Sequence, residues 1–241
     1  ENTLIGGLAG DALTTSNYNT ALGSGALGLD DLGSFTTAIG RAALSSQNYS
    51  TATNSHNTAV GGNAGEKVTT GVENTLIGSL AGDAFTDADY NVAVGKSALS
   101  LDTLGSKSVS IGQGTLQNQN FTTATESFNT AVGNEAGAAL TTGTNNTLIG
   151  ASAGDALTAA FENTAVGRGA LGTDTLGRRT VAIGDRALIS QNFTTATNSY
   201  NVAVGFDAGV LVTTGKLNTF VGALAGDGTD DGNENTGIGY L

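Results

Sequence analysis

The chain has 241 residues, of which 37 are Gly and none is Pro, Met, Trp or Cys. It therefore lacks the large side chains that usually fill a globular core of this size, and it has no thiol for a disulfide framework or nucleophilic chemistry. With 21 acidic and 9 basic residues the net charge is −12 and no basic cluster forms, which disfavours a nucleic-acid partner because phosphates need a positive surface.

One short pattern organises everything that follows. Asn-Thr/Val-small-aliphatic-Gly-x-x-Ala begins at residues 2, 19, 36, 57, 74, 91, 108, 129, 146, 163, 180, 201, 218 and 235. The intervals are 17, 17, 21 and 17, and then recur. The result is a 72-residue super-repeat, with blocks 2–73, 74–145 and 146–217 and a partial block 218–241. The fifth position is always Gly: Gly6, Gly23, Gly40, Gly61, Gly78, Gly95, Gly112, Gly133, Gly150, Gly167, Gly184, Gly205, Gly222 and Gly239. The fourth is always aliphatic, and the eighth is Ala in every copy that reaches it except at Thr115. Copies of one short unit cannot bury an apolar face alone and must stack to do so. Such phase-locked columns speak against disorder, which the Gly, Thr and Asn content would otherwise suit.

A 17-residue unit is too short for helical-pair repeats. The Thr-Ala-Val or Thr-Leu-Ile run reads as a short buried strand. Gly turns the chain, and a weaker run such as Ala-Leu-x-x-x-Leu-Thr-Thr carries it back. The expected fold is all-β, a β-solenoid or parallel β-roll, with residues 1–241 as a single repeat region. At the inter-strand spacing of about 4.8 Å, such a stack makes a rod roughly 65 Å long. No initiator Met, signal peptide, capping element or membrane span is visible, and the chain opens and stops inside a repeat. It is read as a segment of a longer protein, with no membrane insertion expected.

Asn fills the first position at Asn2, Asn19, Asn57, Asn74, Asn91, Asn129, Asn146, Asn163, Asn201, Asn218 and Asn235. Asn tolerates left-handed turns, and amides stacked coil upon coil are expected to form a hydrogen-bonded ladder. The departures are Thr36, Ser108 and Thr180, each opening a 21-residue coil. Along the strand the second and fourth positions face one way and the third and fifth the other. Both faces are small or apolar, so one is expected inside the coil and the other against a further copy of the chain.

In chain order, the first coil of each block carries Gly-Asp, at Gly10-Asp11, Gly82-Asp83, Gly154-Asp155 and Gly226-Asp227. The second carries Asp-x-Leu-Gly, as at Asp102–Gly105 and Asp174–Gly177. Both read as polar turns in which Asp caps backbone amides. The third coil holds the extra residues, Gln47–Thr53, Gln119–Thr125 and Gln191–Thr197, expected to bulge from one side. Their aromatics Tyr49, Phe121 and Phe193, with His56, Phe128 and Tyr200 seven residues on, are candidate surface contacts. The alternative is that Tyr49, Phe121 and Phe193 fold back to cover the coil.

Catalytic chemistry finds little support. His56 is the only His and is replaced by Phe128 and Tyr200 in later blocks, so packing suits it better than catalysis or zinc binding. Asp30/Asp31 and Asp87/Asp89 sit in turns where solvated acids are expected, so neither an enzyme nor a cofactor is expected. The densest acidic stretch, 227–234, makes Asp227, Asp230 and Asp231 weak candidate Ca²⁺ ligands, but it fits no EF-hand loop and a solvated turn is the default reading. A stacked Thr column also suggests ice binding, but Val92, Val109, Val181 and Val202 interrupt it and its strand face reads as buried.

Asn57–Gly61, Asn129–Gly133 and Asn201–Gly205 resemble the head repeat of trimeric autotransporter adhesins. Asn91–Gly95 with Asp102–Gly105, Gln191–Thr197 and Asn146–Gly150 resemble more closely the repeat regions of bacteriophage tail-fibre-like proteins. These resemblances imply a parallel β-roll that assembles as a homotrimer on a virion or cell surface, meeting a cell-surface receptor or glycan. The expected function is a structural and attachment segment of an extracellular fibre. A bacterial adhesin head and a filament subunit without a receptor are the alternatives.

Overall fold

The β-branched run of every repeat forms a strand of three residues, and each strand can satisfy its backbone only by pairing with the next copy. A computed structural model describes residues 1–241, and it contains no helix. The chain divides into two units, Glu1–Ser127 and Phe128–Leu241. In the first, strands Thr3–Ile5, Thr20–Leu22, Thr37–Ile39, Thr58–Val60, Thr75–Ile77, Val92–Val94 and Val109–Ile111 pair in parallel, in that order. In the second, Thr130–Val132, Thr147–Ile149, Thr164–Val166, Val181–Ile183, Val202–Val204, Thr219–Val221 and Thr236–Ile238 do the same. The register is uniform, with Thr3 beside Thr20 and Thr37 beside Thr58. Each unit is a parallel β-solenoid of seven turns.

The return path carries a second strand only in short pieces, where Gly33–Ser34 pairs with Thr53–Asn54, Gly105–Ser106 with Thr125–Glu126 and Gly177–Arg178 with Thr197–Asn198. Elsewhere it is a run of tight turns in which left-handed residues recur, many of them not Gly: Leu27 at φ 53°, Leu44 at 48° and Leu99 at 51°. These send successive N–H groups alternately to the turn before and the turn after. Gly25 N–H donates to Gly7 O, and Leu27 N–H to Ala43 O, both at 2.9 Å. A left-handed L-residue costs about 1–2 kcal/mol. The inter-turn bonds and the burial of each Leu side chain oppose that cost and hold the conformation.

The third strand position faces inward. Ala21, Ala38, Ala59, Leu76, Ala93, Ala131, Leu148 and Ala165 have no exposed surface. Side-chain volumes explain the 72-residue period. Where the third position is Leu76 or Leu148, the ninth is Gly82 or Gly154, and a Cβ there would meet Leu side-chain carbons at 2.8 Å. Where the third is Ala21, Ala38 or Ala93, the ninth is buried Leu27, Leu44 or Leu99. In the fourth coil both are small, as Ala59 with Gly65, and a Cβ on Gly65 would meet the Leu76 and Leu44 side chains of the adjoining turns at 2.7 and 2.9 Å, so neighbouring Leu residues fill that level. The one Thr at the eighth position, Thr115, accompanies the one Ser at the third, and Ser110 Oγ donates to Thr115 O at 2.9 Å.

The fifth-position Gly is fixed by geometry. Gly61 lies at φ +141°, and a Cβ on it would stand 2.6 Å from the carbonyl carbon and oxygen of Gly78 in the next turn. The same backbone-on-backbone contact recurs along each unit. No side chain fits there.

Candidate functional site

Apart from Asn2 and Asn235 at the ends, the first-position Asn residues are buried, and they do two jobs. Asn74 Oδ1 accepts the N–H of Asn91 in the next turn at 3.0 Å, and Asn74 Nδ2 donates to Ala88 O in its own turn at 2.7 Å. Asn19, Asn57, Asn91, Asn146, Asn163 and Asn218 repeat both bonds. The rungs therefore run mainly from amide to backbone. Direct amide-to-amide bonds are few, as from Asn235 Nδ2 to Asn218 Oδ1 at 2.9 Å.

Once per block the column changes to a hydroxyl, because a Gln side chain arrives there. Gln47 Nε2 donates to Thr36 Oγ1 at 3.1 Å and to Asp30 Oδ2 at 2.8 Å. Gln119 does the same to Ser108 and Asp102, at 3.0 and 2.6 Å. Gln191 bonds Thr180 and Asp174 at 3.2 and 2.6 Å. Ser55 and Ser199 then offer the acceptor that an Asn would have supplied, taking the N–H of Asn57 and Asn201 at 3.4 and 3.2 Å. Gln47 and Gln191 carbonyls accept the side-chain amides of those same Asn residues at 2.8 Å.

The acids in this network are not solvated turn residues. Asp30, Asp102 and Asp174 have no exposed surface. They do cap backbone amides, accepting the N–H of Gly33, Gly105 and Gly177 at 2.9, 3.1 and 3.0 Å. Burial nevertheless pushes all three carboxyls above the ordinary range, against the pull of these hydrogen bonds. The repeated Asp–Gln pair was the signal for this network, and its inward orientation was not readable from the sequence.

Tyr49, Phe121 and Phe193 fold back over the network and are only 4–6% exposed, so they are not surface contacts. Tyr49 O–H donates to Gly71 O at 2.8 Å, and burial raises its pKa. What stands out from the bulge is Ser50–Ala52, Thr122–Ala124 and Thr194–Ala196. His56, Phe128 and Tyr200 are exposed, in a column that precedes the strands and whose members all have φ near +50 to +62°. Tyr18 and Tyr90 belong to the same column and were missed, because they precede Asn19 and Asn91, outside the longer coils. In it Tyr18 stacks on Phe35 at 4.9 Å, and Phe35 on His56 at 5.3 Å.

The second and fourth strand positions face outward from the coil. Thr75 and Thr147 are half-buried, while Ile77, Ile111 and Ile149 are each 39% exposed. The result on each unit is a continuous strip of Thr, Val and Ile without a charge. No family model matches this chain, and no match is found among curated proteins or solved structures.

A few charged groups pair between turns, as Arg168 with Asp185 and Arg179 with Glu162. Asp227, Asp230 and Asp231 do not converge: no group of three or more acidic, His or Cys side chains is arranged to hold a metal ion. Asp230 instead takes the Thr213 hydroxyl at 2.5 Å.

Proposed function

We propose that this chain is a structural and attachment segment of an extracellular homotrimeric fibre, most simply a phage tail fibre that meets the host cell surface. Its repeating elements are the 17- and 21-residue coils. The observation that carries this reading is the uncharged outward strip of Thr, Val and Ile, present on every turn of the coil.

At about 3.3 Å per residue and 4.8 Å per strand, three residues on seven turns cover roughly 330 Å² in each unit. A contiguous patch of that size equals the largest on a typical monomer, about 300–600 Å², which is often functional. It is long and only about 10 Å wide, a shape suited to meeting copies of itself along its length. Three such strips close around a common axis, each touching two others, and the head-to-tail contact ends in a ring. The loops and bulges then face outward, where attachment occurs.

The test is the molar mass of the purified chain by light scattering, alone and with Ile77→Lys and Ile149→Lys together. A trimer that the double variant converts to a folded monomer supports the proposal. A wild-type monomer overturns it.

A further inference from the structure

The corner before the strands is built from the same left-handed column in each block, but its occupants differ. In the first block Tyr18, Phe35 and His56 stack on one another and cover their own faces. In the third, Arg178 lies 4.1 Å over the Phe161 ring, and Arg179 bonds Glu162 at 2.7 Å and the Tyr200 hydroxyl at 2.9 Å. In the second, Tyr90 is 49% exposed and stacks on no ring or cation. It borders a groove of about 270 Å³ whose other polar walls are Asp87, Asp89, Ser106, Lys107, Thr125 and Glu126.

We infer that this groove binds one residue of a neutral saccharide, with the sugar ring resting on Tyr90 and its hydroxyls donating to the Asp87, Asp89 and Glu126 carboxylates. This deepens the attachment reading above and rests on it.

Size, charge and hydrogen-bond inventory agree on this class. The volume sits just below the range of about 300–1,000 Å³ that encloses drug-sized ligands, so it admits one small ring and, being open, lets a longer chain continue outward. Asp87 has one oxygen engaged by the Thr70 hydroxyl at 2.6 Å, and Asp89 has one engaged by the Val72 N–H at 2.8 Å. Their second oxygens remain to accept. Ionised carboxylates accept only, so the ligand must bring donors, as vicinal hydroxyls do. An acidic sugar is repelled by three carboxylates, of which only Glu126 has a cation, Lys107, paired to it. The exposed Tyr ring supplies the apolar platform that a cation site would not need.

The test uses the whole chain on a printed panel of glucose, galactose and N-acetylglucosamine oligomers beside sialylated ones. Hits are titrated by ligand-observed NMR. A neutral glycan should bind, Tyr90→Ala should weaken it about tenfold or more, and Tyr90→Phe should retain it, as expected for loss of a single aromatic anchor. Tyr18→Ala, in the first block, should have no effect. Binding of acidic glycans alone, no binding at all, or equal losses in Tyr90→Ala and Tyr18→Ala would overturn the site. Light scattering on the same samples separates the two proposals. A monomer that binds through Tyr90 refutes the trimer and supports the groove, and a trimer that binds no glycan refutes the groove.

Discussion

Gly61 and Gly62 are adjacent, and the structure predicts opposite responses to the same substitution. At Gly61 an Ala must adopt φ near +141° with its Cβ 2.6 Å from the Gly78 carbonyl, whereas a Cβ on Gly62 meets nothing within 4 Å. Backbone in such a region costs about 1–3 kcal/mol. Relief of the clash requires the two turns to part, which weakens neighbouring bonds such as Gly61 N–H to Ile39 O and Gly78 N–H to Val60 O, at 2.7 and 2.8 Å. At about 1 kcal/mol for each bond lost, Gly61→Ala should destabilise by roughly 3–5 kcal/mol. Gly62→Ala should be neutral or stabilising by up to about 1 kcal/mol, through the unfolded chain. Urea unfolding followed by circular dichroism measures both. Surface substitutions that touch nothing commonly differ by up to about 0.5 kcal/mol. If the two variants differ by no more than that, neither the turn-to-turn contact nor the backbone conformation explains the invariant Gly.

Other consequences follow from the core, the buried acids and the corners. Leu76→Ala and Gly82→Ala should each destabilise, the first by about 2–5 kcal/mol. A Gly82 Cβ would stand 2.8 Å from the Leu76 side chain. In a double-mutant cycle the pair should therefore couple favourably by about 0.5 kcal/mol or more, and strict additivity would contradict the packing account of the super-repeat. Asp30, Asp102 and Asp174 hold protons more tightly folded than unfolded, so their contribution is fully present below the ordinary value of 3.8 and is lost as pH rises toward their folded values. The urea midpoint should therefore be higher at pH 3 than at pH 7, and a midpoint that drops on acidification would show that burial does not govern these groups. Glu135, exposed at φ 56°, should gain about 0.5–1 kcal/mol on replacement by Gly, read as a raised thermal midpoint.

Much of the coil was legible because its constraints act through identical neighbours. Gly61 meets Gly78 and Asn57 meets Asn74, so each requirement recurs as a column. What the columns could not reveal was which strand face lies inside. Ile77 and Thr75 look no less suited to a core than Ala59, yet the inward face is the one shared with Asn57, whose amide must reach the carbonyl of Gly71 across its own turn. The replacement of Asn by Thr36, Ser108 and Thr180 was visible, but its cause was not. Gln47 meets Thr36 eleven positions away, and nothing in the local pattern indicates that meeting. Left-handed residues were hidden for a different reason. Leu27 and Tyr18 have none of the Gly or Asn character that marks such positions, because the turn-to-turn bonds impose the conformation and the side chain is chosen for core or surface.

The Asn bonds also have a direction. Asn19 holds a carbonyl of its own turn and offers Oδ1 to the N–H of residue 36, which comes later in the chain. Each completed 17-residue turn therefore displays an acceptor addressed to residues 17 positions onward. A chain that appears N-terminus first brings those residues to a template already in place, and closing so short a span costs little entropy. Synthesis or export can then lay down one turn at a time, each ordered by its predecessor, without waiting for distant sequence.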